Sequence, residues 1–187
     1  MSAATSFPLA DDVKSVKTPR IPSLDELLDV SADELRALYE RASVPRLEDI
    51  EGDLRGRMLG LQIGGGALAK VGRLVAGTSW FPWRGKSFSV RADTRATGRG
   101  NGINRVFVDG NKWFRFETFV GKSRAGDFDA VQLDYDNADN PFFIRAIKDE
   151  IRELRPGLYL GQAYIVTGST ALLALYFALE LPRPPTA

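Results

Sequence analysis

The spacing of apolar positions changes character three times along this 187-residue chain. Ser31-Ala32-Asp33-Glu34 is a serine followed by an acid three residues on, the pattern in which side chain and backbone cap each other at a helix start. Leu35, Leu38 and Tyr39 follow at helical spacing, and Pro45 sets the limit of that helix. Ser23-Leu24-Asp25-Glu26 carries the same pattern. Residues 23–49 are therefore expected to form a short helical preface. Residues 1–22 hold Pro8, Pro19 and Pro22 and few large apolar side chains, so they read as a disordered lead.

From residue 50 the pattern turns to strands. A loosely alternating run at 52–59 is followed by the Gly64-Gly65-Gly66 break. A stretch at 67–76 then has Leu68, Val71, Leu74 and Val75 at helical spacing. Runs at 86–92, 103–108, 112–120 and 128–136 are rich in Phe, Val, Trp and Tyr with glycine-bearing breaks between them. Asp109-Gly110 between two alternating runs is a strong hairpin signal. Asn140-Pro141 reads as the start of an amphipathic helix over 140–154. Phe143, Ile144, Ile147, Ile151 and Leu154 would share one face, opposite Lys148, Asp149, Arg152 and Glu153, with Pro156-Gly157 as its stop. Strands at 158–166 and 171–181 follow, joined through Thr167-Gly168-Ser169, and residues 182–187 form a tail. Short turns between successive strands leave little room for parallel crossovers. The expected fold is α+β: an antiparallel barrel or strongly curved sheet over 50–181, with the helical preface before it and one helix ahead of the last two strands.

Alternation assigns faces. Phe114, Phe116, Thr118 and Val120 share one side of their strand, and Trp113, Arg115, Glu117 and Phe119 the other. The last strand is apolar on both sides: Leu173, Leu175, Phe177 and Leu179 against Leu172, Ala174, Tyr176 and Ala178. Each side therefore needs a cover, and the 140–154 helix is the candidate for one of them. Arg105 and Arg115 sit among aromatic neighbours. They read either as solvated charges laid over Trp113 and Phe119 or as a guanidinium fixing the polar head of an apolar ligand.

Composition removes whole classes of chemistry. The chain has no Cys and no His, which excludes disulfides, thiolate or imidazole nucleophiles, and metal or haem sites built on those side chains. Its 25 Lys and Arg balance 24 Asp and Glu, so no long-range pull toward nucleic acid is expected. The apolar run at 171–179 is about half the roughly 20 residues of a membrane-spanning helix. Residues 1–22 lack the apolar core of a secretory signal. A cytoplasmic location is the default expectation.

The remaining motifs are weak. Gly64-Gly65-Gly66 lacks the Gly-Lys-Ser/Thr of a phosphate loop and reads as a flexible joint. Gly98-Arg99-Gly100-Asn101-Gly102 reads as a hairpin loop. Asp127, Asp129, Asp134, Asp136 and Asp139 crowd one segment without the spacing of a calcium loop, and Asp134 with Asp136 could form an acid/base pair. Trp80-Phe81-Pro82-Trp83 reads as core or cavity wall.

Trp83-Arg84-Gly85-Lys86-Ser87-Phe88 has the form Trp-x-Gly-Lys-x-Phe. It resembles a signature of small bacterial proteins of uncharacterised function with lipocalin-like folds. Leu133-Asp134-Tyr135-Asp136, Asn140-Pro141 and Gly157-Leu158-Tyr159-Leu160-Gly161 are similar to such a family too, and the likeness spans roughly residues 50–181. It implies a calycin-type barrel holding a small apolar molecule and supplies no catalytic residues. The helical preface and the expected late helix depart from the compact plan. The functional expectation is a binding module for a small, largely apolar ligand: a lipid, fatty acid, isoprenoid, polyketide or tetrapyrrole-like molecule. Its candidate contacts are Trp83, Arg105, Trp113, Arg115 and Tyr135, with no metal and no cofactor. The alternative is a cofactor-independent isomerase, lyase or cyclase using Asp134, Asp136 and Arg115 in the same cavity. A third expectation is docking or self-association through the apolar last strand or the preface.

Overall fold

A computed structural model of the chain describes residues 20–62, 83–90, 94–106 and 111–182. Several expected features lie outside the described residues: most of the lead, the triple-glycine break, the 67–76 helix, Trp80-Phe81-Pro82 and the Asp109-Gly110 turn. Eight antiparallel strands, each paired with the next in sequence and the last with the first, close a barrel. They are β1 (Gly52–Leu61), β2 (Trp83–Ser89), β3 (Arg99–Val106), β4 (Asn111–Lys122), β5 (Asp129–Asp134), β6 (Ile147–Arg155), β7 (Leu158–Thr167) and β8 (Thr170–Glu180). β8 meets β1 with Gly56 opposite Leu179 and Met58 opposite Phe177. Closure gives every strand a partner on both sides. Among the described residues, no helix is long and apolar enough to cross a membrane.

The preface docks on the outside of this barrel. The helix α1 (Ala32–Arg41) starts at Ser31, whose side chain accepts from the Glu34 backbone N–H while Glu34 reaches back to the Ser31 N–H. Leu24, Leu27, Leu35 and Tyr39 are fully buried against Leu158, Leu160, Tyr176 and Ala178 on the outer faces of β7 and β8. This explains why the last strand is apolar on both sides: one side lines the barrel and the preface covers the other. The 140–154 helix does not supply that cover.

The helix expected over 140–154 does not form as such. Phe142–Arg145 makes a single turn, and Ile147–Arg155 is β6. The physical reason lies in where its charges go. Asp149 points into the barrel and Glu150 and Arg152 point out, yet all three are buried. Glu150 accepts from Ser123 Oγ at 2.6 Å and from Gln132 Nε2 at 3.3 Å, and Arg152 lies over the Phe128 ring at 4.4 Å. Charges buried on both faces hide the two-residue period, and the remaining apolar positions fall at helical spacing by coincidence. Pro156-Gly157 turns the β6–β7 hairpin rather than ending a helix, with Gly157 at φ +78°, a backbone state suited to glycine.

A second correction concerns 98–102, expected as a loop. Arg99 to Gly102 belong to β3, paired with Phe116 to Phe119. These glycines leave room for cross-strand side chains: a Cβ on Gly102 would sit 2.3 Å from the Phe116 ring. One half of the barrel interior is filled by Ile50, Leu54, Phe88, Phe116, Val131, Ile151, Tyr159 and Leu179. Ile50 belongs to a short turn of helix, Leu47–Ile50, and Asp49 O accepts from the Tyr159 hydroxyl at 3.2 Å.

Candidate functional site

The other half of the barrel is hollow. A cavity of about 190 Å³ is walled by apolar side chains, Met58, Phe114, Ile144, Ile147, Leu175 and Phe177 among them. Phe143 lines it and is 44% exposed, so the hollow reaches the surface beside the Phe142–Arg145 turn.

Irregularities in the strands aim the wall. β2 and β3 slip register between Trp83 and Gly85, where Gly85 takes φ +130° and a Cβ would meet Leu54 O at 2.0 Å. The Trp83 indole lies over Gly56, where an added Cβ would be 2.6 Å away, and meets Phe177 edge-on at 5.8 Å. β3 and β4 slip at Ile103/Asn104, leaving Phe114 as the extra residue at φ +58°, a conformation non-glycine residues seldom adopt. The bulge brings the Phe114 side chain into the cavity wall.

Against this apolar lining, four polar side chains converge. Lys86 and Asp149 are 3% and 5% exposed, and Lys86 Nζ lies 2.9 Å from Asp149 Oδ2. Nζ also donates to Asn104 Oδ1 at 2.8 Å and to the Tyr135 hydroxyl. Tyr135 donates to Asp149 Oδ2 at 2.9 Å, so that oxygen accepts from both neighbours. Trp83 Nε1 donates to Asn104 Oδ1 at 3.1 Å, which fixes the amide with its nitrogen toward Tyr135, 3.1 Å away, and Phe114 O. Four rings, Trp83, Phe116, Tyr135 and Phe177, lie with centroids 5.2–5.6 Å from Nζ.

Electrostatics follow from the burial. Loss of water pushes the Lys86 amine below its ordinary range, against the pull of Asp149. Burial first, and the Asp149 charge second, hold the Tyr135 hydroxyl well above the usual phenol range. Tyr135 is therefore a proton donor at neutral pH, between a base and an amine. The pair Lys86–Asp149 is neutral as a unit, so the hollow has no uncompensated charge at this cluster.

Two of the five expected contact residues, Trp83 and Tyr135, line the cavity. Three do not. Arg105 stands 3.7 Å from Asp53, half-buried, and Arg115 is exposed. Trp113 is 44% exposed and meets Phe114 edge-on at 6.0 Å. Asp134 and Asp136 are also away from the cavity wall: Asp134 is bound by Lys148, and Arg145 holds Asp136 below the usual carboxylate range through a 2.6 Å contact. The acid, amine and amide of the site are instead Asp149, Lys86 and Asn104. Their signal was a lone polar residue on an otherwise apolar face: Lys86 beside Phe88, and Asp149 between Ile147 and Ile151.

A groove between Arg46, Glu48, Thr97, Arg99, Phe119 and Val120 is larger, at about 520 Å³. Its cations Arg46 and Arg99 are already paired, with Glu48 at 3.7 Å and Glu117 at 2.6 Å, on the open surface. It lacks the convergent buried polar groups of the barrel cavity.

No protein-family model matches this chain. No curated protein matches it. Among solved structures, a crystal structure of a protein from Thermomonospora curvata is similar, with 19% identity over 82% of this chain and 89% of that one and a TM-score of 0.49.

Proposed function

We propose that the barrel binds a small, largely apolar, uncharged molecule, with the ligand's polar group against Lys86, Asn104, Tyr135 and Asp149. One observation carries this reading: an apolar hollow open at Phe143 whose few polar groups are buried and converge. Volume and charge narrow the ligand. Apolar cavities of about 150 Å³ accommodate benzene, so 190 Å³ suits a small aromatic, a short acyl chain or a monoterpene-sized isoprenoid. A longer lipid would have to extend past the opening, and a tetrapyrrole exceeds the hollow. A carboxylate head would bring a second negative charge to Asp149 without a free cation to meet it, which disfavours fatty acids.

The enzyme alternative draws on the same cluster. A carboxylate, a phenol and an amine in contact can pass protons, so isomerisation or cyclisation of a neutral substrate would use Asp149 and Tyr135 instead of Asp134, Asp136 and Arg115.

Calorimetry with cinnamyl alcohol and with cinnamate tests the reading. The alcohol should bind with a negative heat-capacity change and the carboxylate should not. Ala163→Leu, which fills the hollow from β7, should abolish the alcohol's binding while leaving cooperative unfolding intact. Equal binding of both probes to this variant and to the parent would place the ligand elsewhere.

A further inference from the structure

We propose that Lys86 is a condensing amine: the cavity admits a small apolar aldehyde or ketone, and Nζ joins its carbonyl carbon as an imine. This rests on the ligand-binding reading above and names the reactive group of the ligand.

The geometry supplies each part. Lys86 sits in the wall of the hollow, its ammonium lying among four aromatic rings and touching Asp149, Asn104 and Tyr135. The other buried charges behave differently. Glu150 and Arg152 lie on the outer face of β6, bound by Arg124 and Gln132 in one case and by the Ala42 and Asp129 carbonyls in the other. Neither lines the cavity. Loss of water in an apolar pocket is the means by which proteins make a lysine amine nucleophilic near neutral pH, and Asp149 is placed to receive the proton it gives up.

The step balances without any further reagent. Asp149 Oδ2, 2.9 Å away, takes one proton from the ammonium, and two opposite charges disappear in a low-dielectric site. Rotation about the Cε–Nζ bond turns the freed lone pair to the carbonyl carbon. The carbon–nitrogen bond forms as the carbonyl π pair moves onto oxygen. The Tyr135 hydroxyl, bonded to both Nζ and Asp149 Oδ2, passes a proton to that oxygen and is reprotonated from Asp149. A second proton leaves nitrogen by the same route, and the carbinolamine oxygen departs as water. The product is a protonated imine with Asp149 again a carboxylate beside it. Three ammonium protons are accounted for: two leave in the water and one stays on nitrogen. The charge of the site is the same before and after, which a neutral carbonyl compound allows and a carboxylate does not.

The test uses the full chain with cinnamaldehyde, then sodium borohydride, followed by intact mass and peptide mapping. A single adduct is expected, equal to the aldehyde less one oxygen atom and located on Lys86. Excess cinnamyl alcohol should suppress it. Lys86→Arg keeps a cation opposite Asp149 but has no amine to condense, and should lose the adduct. Tyr135→Phe should trap about a hundredfold more slowly, the lower end of the range for a lost proton-transfer group. If the alcohol binds but Lys86 is modified no faster than surface lysines, the imine is overturned and the binding reading stands. If neither compound occupies the hollow, both fall. Should Lys86→Arg fail to fold, protection of Lys86 by the alcohol and the rate in Tyr135→Phe decide the matter.

Discussion

The ammonium of Lys86 and the carboxylate of Asp149 meet at 2.9 Å inside the barrel, 63 residues apart in sequence. β2 carries one and β6 the other, strands that are not neighbours in the barrel order, so the contact spans the barrel interior. Removing one partner leaves a buried charge without its counter-charge. Lys86→Met and Asp149→Leu should each cost about 3–5 kcal/mol in urea denaturation. The double variant should recover most of that, because an apolar pair fits the apolar lining. Additive losses in the double-mutant cycle would show that the two charges do not depend on each other.

Phe177 stacks over Gly161, opposite it in the β7–β8 pair, and also lines the cavity. A Cβ on Gly161 would lie 2.2 Å from that ring. The ring has the hollow on its other side and would move there. Gly161→Ala should therefore cost about 1–3 kcal/mol, the range for overpacked cores, and abolish binding of cinnamyl alcohol. Unfolding by urea and calorimetry on the same sample separate the two effects. Intact binding with lowered stability would mean that the strand had shifted and the ring had not.

Much of this architecture is legible in the residues alone. Period-two runs mark the strands that face one wet and one dry side, and the serine–acid pairs mark the preface. β6 was hidden because Asp149, Glu150 and Arg152 are buried on both faces of one strand, which a hydrophobicity pattern scores as polar. The site was hidden for the same reason. Asp149 is conspicuous as an inward acid between Ile147 and Ile151 only once the segment is read as a strand. Arg105 and Arg115 stand out in the sequence as cations among aromatics, yet the cation buried in the cavity wall is Lys86, within the Trp-x-Gly-Lys-x-Phe stretch. Phe114 depends on a register slip in the β3–β4 pair, which no local spacing announces.

The preface should behave as part of the fold. Leu35 is 1% exposed and lies in the cluster over Leu160 and Tyr176. Leu35→Ala should lower stability by about 2–5 kcal/mol, and Ser31→Ala by about 1 kcal/mol through loss of the cap. Leu27→Asp with Leu35→Asp should undock the preface and bare the apolar outer face of β8. Light scattering after size exclusion should then report a larger apparent mass than the parent chain gives. A monomeric double variant with an unchanged melting temperature would show that the preface contributes nothing to the barrel.

All five tyrosines of the chain, Tyr39, Tyr135, Tyr159, Tyr164 and Tyr176, have hydroxyls held above the ordinary phenol range, burial being the largest cause in each. Tyr159 is pushed up to about 12. The sign of the consequence follows from proton counting. Above about pH 10 the unfolded chain loses phenolic protons that the folded chain keeps, so stability falls as pH rises. Each such group adds a slope of up to about 1.4 kcal/mol per pH unit. Lys86 works in the opposite direction. Its amine is lowered on folding, so between its folded value and the ordinary lysine range the unfolded chain binds the extra proton and stability rises with pH. With five phenols against one amine, the net trend above pH 10 is downward. An ultraviolet titration should show little tyrosinate at pH 10 in the folded protein, then a cooperative rise that coincides with loss of ellipticity. Tyrosinate appearing gradually near pH 10, ahead of unfolding, would mean that these hydroxyls are open to water.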